Sequence, residues 1–298
     1  SPLTAPFTAL AVVATGAVPV FADVAPQTLL LDPEQAARKI TPRTRAIIPV
    51  HLYGRVADLE AFSALARGHG VEIIQDACQA HGATFGGRPL THWSRWVAYS
   101  FYPTKNLGAL GDAGALLTDH AELAEAARLF RNGGVRTYAV SEQPALNSRL
   151  DELQAAILRT KLLHLAEWNR ERRRLAAHYA RSLEPPVGGL PADPGEHVFH
   201  LYVIREARRV ALRAFLSHAG IGTSIHYPEP LHLQPAFGSL PACDRGALPV
   251  VEHACQEIVS LPLDPFLTME EVEEVCAAVR AFRQNSPKSK VQGPRSNA

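Results

Sequence analysis

Short apolar runs alternate with amphipathic stretches over the first two-thirds of the chain. Val18–Phe21, Ala46–Val50, Glu72–Gln75, Trp96–Phe101 and Ala113–Thr118 are brief, apolar or β-branched, and bounded mostly by Gly, Pro or Asp. Such runs predict strands buried on both faces of a largely parallel sheet. Between them, 33–39, 58–69 and 121–131 carry helical periodicity. Leu59, Phe62 and Leu65 share one face, and Asp58 stands where an N-cap carboxylate belongs. The alternation predicts a layered α/β domain.

The rhythm changes further on. Residues 151–183 read as one long helical stretch, bent or straight, with Leu153, Ile157, Leu165, Trp168, Leu175 and Tyr179 recurring at helical steps. Pro185-Pro186 is expected to end it. A strand over Val198–Ile204 follows, then a helix over Val210–Ala219 closed by Gly220. A Pro- and His-rich loop and a last helix over Glu270–Phe282 complete the pattern. The expected organisation is a large domain over 1–168, a smaller α+β domain over 169–283, and a polar, disordered tail over 284–298.

Composition narrows the function. The formal net charge is +1 with no basic run, so neither nucleic acid nor an anionic membrane is an expected partner. No apolar stretch reaches eighteen residues, so no spanning helix is read. Cys78, Cys243, Cys255 and Cys276 lie far apart without a CxxC pair. That argues against a metal site or a disulfide framework and fits a reducing cytoplasm. Met269 is the sole methionine, so Ser1 is not a translation start, and no signal-peptide pattern follows it. The chain therefore reads as an N-terminally truncated fragment.

Three segments carry candidate chemistry. Ile73 to Gly82 delivers the carboxylate of Asp76 at the end of an apolar run, where open α/β sheets bind ligands. Ser100 to Asn106 runs from a second such strand into Lys105, and Gly108 to Gly114 follows, with room for a tight turn. Pyridoxal phosphate needs an amine, a carboxylate for its ring nitrogen, and donors for its phosphate. Lys105, Asp76 and Ser100 can supply them. Each signal alone is weak: a lone lysine after a strand is usually solvated, and Gly108–Gly114 alone reads as a turn before a strand.

Taken together, these motifs resemble the DegT/DnrJ/EryC1/StrS sugar aminotransferases. The likeness runs through Gln75-Asp76-Ala77-Cys78-Gln79-Ala80-His81-Gly82, Ser100 to Asn106 and Gly111 to Gly114. It continues in Pro49 to Gly54, Asn147 to Ala156, His226 to His232 and Ser260 to Leu263. The resemblance implies the α/β transferase fold of type I and pyridoxal 5'-phosphate as cofactor. Lys105 would be the Schiff-base lysine, Asp76 the pyridinium partner, Gln79 a contact on the phenolic-oxygen side, and Ser100 a phosphate ligand. Asn147 would reach the phosphate of a neighbouring subunit, which implies a homodimer; a helix cap is its structural alternative. Tyr102, His226 and Tyr227 match positions near the sugar. Cys78 would pack behind the ring, and His51 and Tyr53 line the site or fill a turn. Where relatives carry a ring-stacking aromatic, this chain reads Thr4-Ala5-Pro6-Phe7-Thr8. The implied activity is transamination of a nucleotide-linked keto-deoxysugar at C3, with glutamate as donor. C4 amination and a non-catalytic, regulatory relative are the alternatives.

Overall fold

The computed structural model describes residues 1–138, 140–183, 187–189, 192–240 and 243–285. A four-stranded sheet is its frame, built from β1 (Ala46–Ile47), β2 (Glu72–Asp76), β3 (Trp96–Ser100) and β4 (Gly114–Leu117), in that spatial order. β1, β2 and β3 run parallel, and β4 is antiparallel to β3. The parallel register pairs Asp76 with Ala98, so β2 and β3 end at one edge of the sheet.

Helices accompany the sheet, and one of them packs on it. In chain order they are α1 (Phe7–Ala14), α2 (Pro33–Ala37), α3 (Leu59–His69), α4 (Ala121–Arg131), α5 (Glu152–Leu162) and α6 (Leu165–Ser182). The Asp58 carboxylate caps α3 by accepting from Ala61 N at 2.9 Å, and Gly70 closes it at φ +62°. Phe62 and Ala66 of α3 pack with Ile47 and Ile73 of the sheet. A second cluster joins Leu59, Ala77, Val97 and Val198. Full burial of one such large side chain contributes about 1.5–3 kcal/mol.

The C-terminal part pairs β5 (Tyr202–Arg205) antiparallel with β6 (Ile258–Leu261) and adds α7 (Arg209–His218), α8 (Pro249–Glu257) and α9 (Met269–Gln284). Leu175 and Tyr179 of α6 meet Tyr202, Leu212, Leu216, Val272 and Val279 in its core. A capping box of Thr268 and Glu271 starts α9. A further cluster joins Leu3, Phe21 and Leu29 to Val203, Phe237 and Val251, so the first thirty residues pack on the C-terminal part. Among the described residues, no helix is long and apolar enough to cross a membrane.

Three expectations change. Val18–Phe21 forms no strand: Val18 and Val20 are 61% and 62% exposed, and only Phe21 enters the core, edge-on to Phe237. An apolar run becomes a strand only where a neighbour offers a ladder, and here core packing replaces it. The long helical stretch divides at Leu163–His164 into α5 and α6. The break lets Leu158 and Leu165 pack against Leu107 and Ala109 while Leu175 and Tyr179 serve a different core. Leu153 turns outward and is 72% exposed. The last helix extends through Gln284, so the polar tail begins later; its remainder, 286–298, and Pro185-Pro186 lie outside the described residues.

The buried carboxylate of Asp23 ties chain start to chain end. It accepts from Val24 N at 2.9 Å, and from Val250 N and Val251 N, in the first turn of α8, at 2.9 and 3.0 Å. Asp23→Ala would orphan three amide donors, two of them buried, and hydrogen bonds to a charged group contribute about 1.5–3 kcal/mol each. We expect a loss of about 2–3 kcal/mol in urea unfolding, and a smaller one for Asn, which keeps one acceptor. A change below about 0.5 kcal/mol would mean the cap contributes nothing.

Candidate active site

The parallel ends of β2 and β3 place Asp76 and Ser100 on the same edge. Asp76 Oδ2 accepts from Thr8 Oγ1 of α1 at 2.5 Å, and Oδ1 accepts from Cys78 N at 3.1 Å. These two donors hold the carboxylate in one orientation. Gln79, buried one turn further, bridges the site: its Oε1 accepts from Tyr53 N at 2.6 Å and its Nε2 donates to the Tyr227 hydroxyl at 3.1 Å. Burial, then the Asp76 charge, pushes the Tyr227 phenol up to about 12, so it stays protonated. Tyr53 holds φ +60°, and its hydroxyl donates to the His226 carbonyl at 2.5 Å.

Lys105 sits in a tight loop. Its N–H donates to Tyr102 O at 2.9 Å, and Ala109 N closes onto Phe101 O at 2.7 Å. A Cβ on Gly108 would lie 2.4 Å from the Pro103 carbonyl, so no larger residue fits there. Lys161 donates to Gly108 O at 2.6 Å from α5. Burial lowers the Lys105 pKa, and nearby Cys78 and Asp76 oppose the shift. The half-buried Cys78 thiol is itself pushed far up by burial, which makes it a small inert group beside the carboxylate.

Around the amine, burial holds histidines neutral. His226 is lowered by burial and then by the Lys105 charge, and its Nδ1 meets Ser260 Oγ at 2.8 Å. His200 is buried and far below its ordinary value for the same two reasons. His81, lowered to about 4, meets Ser100 O through Nε2 at 2.7 Å. Asp76, Gln79, Lys105, His226 and Tyr227 therefore converge.

Other expected residues are placed differently. Ser100 Oγ accepts from Tyr102 N at 3.2 Å, beside the 50% exposed Tyr102 ring. Phe7 is 75% exposed on α1. Gly114 opens β4 opposite Ser100, where a Cβ would lie 2.9 Å from Tyr99 O, so this glycine serves sheet packing. His51 fills a turn: Nε2 donates to Gln75 Oε1 at 2.9 Å and Nδ1 accepts from Ala57 N at 3.1 Å. Asn147 is exposed, in a bridge with Asn132, and Asp151 rather than Asn147 occupies the N-cap position of α5. Among the described residues no hydrogen bond links Asn147 to Ser100 or Lys105.

Sequence reasoning missed Thr8, Asn106 and His200. Thr8 lies sixty-eight residues from Asp76, and only the docking of α1 on the strand end joins them. Nothing local to a threonine in an apolar helix signals that contact.

An oriented carboxylate at a strand end, a desolvated lysine beside it and a free hydroxyl edge fit pyridoxal phosphate in charge and donor type. The fold and this site define a pyridoxal-phosphate-dependent aminotransferase. The chain belongs to the DegT/DnrJ/EryC1/StrS aminotransferase family, whose model matches residues 1–280. It is 46% identical to a dTDP-3-amino-3,4,6-trideoxy-alpha-D-glucose transaminase of Streptomyces venezuelae, over 92% of this chain and 73% of that one. It is also 46% identical to a pleiotropic regulatory protein of Geobacillus stearothermophilus, over 92% of this chain and 75% of that one. Among solved structures, S. venezuelae DesV in complex with a ketimine intermediate superimposes with TM-score 0.90 at 44% identity, covering 96% of this chain and 78% of that one.

The buried histidines make stability depend on pH. His51 is lowered to about 4 by burial, against 6.5 when unfolded. A depressed histidine pKa means that the unfolded state takes up the proton first. Its contribution is complete above pH 6.5 and declines as pH falls from there toward 4. At pH 5 His51 alone should cost about 2 kcal/mol relative to pH 7. Urea midpoints at the two pH values should differ less in His51→Asn than in the parent; an equal difference would exclude His51 as a titrating group.

Proposed function

We propose that this protein transfers an amino group from glutamate to C3 of a nucleotide-linked 3-keto-6-deoxyhexose. The carrying observation is the desolvated Lys105 amine beside the Asp76 carboxylate, itself oriented by Thr8 and Cys78 N. The C3 assignment is supported by the 46% identity to an enzyme named for a 3-amino sugar. C4 amination is the neighbouring alternative.

Bound at this edge, pyridoxal phosphate supplies an aldehyde for the amine and a ring that accepts electrons. Asp76 would hold the proton on the ring nitrogen. Its two fixed donors leave the carboxylate no freedom to turn away. Lys105 Nζ would hold the cofactor at rest, then take the proton from the donor carbon and return it; burial favours the neutral amine this needs. Gln79 would flank the phenolic-oxygen side, and Ser100, with Asn147 of a second copy, would bind the phosphate. Tyr102, His226 and Tyr227 would face the sugar nucleotide, between a domain over 1–168 and one over 169–283. The working unit is then a cytoplasmic homodimer with shared sites.

A regulatory, non-catalytic role is the second reading, because an equally similar relative is named a pleiotropic regulatory protein. One experiment separates the two. The protein supplied with pyridoxal phosphate should show a visible absorbance band that borohydride fixes onto Lys105, and should convert a 3-keto sugar nucleotide to its 3-amino product by NMR. Lys105→Ala should lose both. Labelling of another lysine would remove Lys105 from this role, and an amino group at C4 would reassign the substrate.

The dimer is tested by complementation. Asn147→Ala and Lys105→Ala proteins should each be nearly inactive alone. Mixed, they should recover roughly a quarter of parental activity, since half the dimers are hybrid and each has one intact site. A fully active monomer by light scattering excludes the shared site.

A further inference from the structure

The residue after the lysine is held by three hydrogen bonds from elsewhere in the chain. Asn106 is 4% exposed, and every polar atom of its carboxamide is used. Nδ2 donates to Asn169 Oδ1 of α6 at 2.9 Å and to the Val198 carbonyl at 3.0 Å. Oδ1 meets His200 Nδ1 at 3.1 Å; since Nδ2 donates twice, Oδ1 must accept and His200 Nδ1 must carry the proton. Asn169 in turn donates to the His81 carbonyl at 2.8 Å, and a Cβ on the next residue, Gly82, would sit 3.1 Å from that amide. His81 Nε2 then reaches Ser100 O. The circuit from Ser100 through His81, Asn169 and Asn106 thus ties both ends of the segment that presents Lys105.

We propose that Asn106 is the positioning residue for Lys105: its carboxamide, gripped by Asn169, Val198 and His200, holds the neighbouring amine at the Asp76 end of the sheet. The rest of the loop does not do this. Leu107 and Ala109 bury their side chains with Leu158 and Leu165, and Lys161 holds Gly108, but these act beyond residue 106. The tie of Lys105 itself, to Tyr102 O, is local to the turn. Among the described residues, only Asn106 connects the lysine's immediate neighbour to α6 and to the 197–200 segment. A half-buried amine is a poor default for lysine, whose flexible stem reaches water whenever the backbone allows it. Fixing the adjacent backbone is what keeps the ammonium out of water. The proposal rests on the reading that Lys105 is the working amine, but its test does not depend on the cofactor.

The groups facing that amine are Asp76 and Cys78 from the turn after β2, with His81, His200 and His226. The test reads the amine directly. The full chain, without added cofactor, is labelled competitively with acetic anhydride across a pH series. Peptide mass spectrometry follows Lys105, with Lys39 as the internal reference for dose. In the parent, Lys105 should titrate below the ordinary lysine value near 10.4. Asn106→Ala should raise its midpoint by about one unit, a roughly tenfold fall in neutral amine at fixed pH. His200→Ala should shift it in the same direction by less, and His200→Asn, which keeps an amide donor toward Asn106, should restore the parental midpoint. Thermal unfolding of each variant is measured in parallel. A fall in Tm with an unmoved Lys105 midpoint would overturn the proposal, leaving Asn106 as core structure. Should Asn106→Ala fail to fold, equal midpoints in His200→Ala and His200→Asn would overturn it instead. If the midpoints shift as stated while borohydride labels a different lysine, the positioning role stands and the cofactor assignment falls.

Discussion

The parallel pairing of β2 and β3 is the constraint on which the site depends. Two adjacent strands that end at one edge deliver Asp76 level with Ala98 and Ser100 two residues beyond it. The chain then has to turn immediately after Ser100, because β4 returns antiparallel from Gly114. Lys105 is carried by that return loop, so its place above the strand ends follows from sheet topology before any side chain contributes. A one-residue slip between β2 and β3 would point Asp76 into the other face.

Around this frame the protein buries polar groups wherever the loops must be held. His51, Gln75, Gln79, Asn106, Asn169, His200 and Asp23 are all nearly inaccessible. Burying such groups unpaired would cost a few kcal/mol each, so they are acceptable only because most find partners. These amides and imidazoles do what apolar packing cannot: they specify orientation as well as proximity. The polar groups around Asp76 and Gln79 are held by several partners, whereas the Tyr102 ring is half exposed.

Much of this was legible along the chain because it is local or periodic. The Asp58 cap, the closing glycine of α7 and most of the apolar strands each lie within a few residues of their cause. The likeness of these motifs to the family carried the rest of the chemistry. The Val18–Phe21 strand was misread because apolarity alone guarantees neither burial nor a partner ladder: Val18 and Val20 stay exposed and only Phe21 enters the core. The stretch over 151–183 read as one because helical periodicity runs on across the break at Leu163–His164, although Leu158 and Leu165 serve one core and Leu175 and Tyr179 another.

What the sequence by itself determined is most of the elements and the family, since propensity, capping and motif spacing are properties of short segments. Tertiary structure alone decided that Thr8 orients Asp76, that Gln79 spans Tyr53 and Tyr227, and that Asn106 meets Asn169 and His200 across gaps of 63 and 94 residues. Such contacts come from how α1, α6 and the 197–200 segment dock on the sheet edge. Docking is settled by the summed burial of whole faces, which no local pattern of residues encodes.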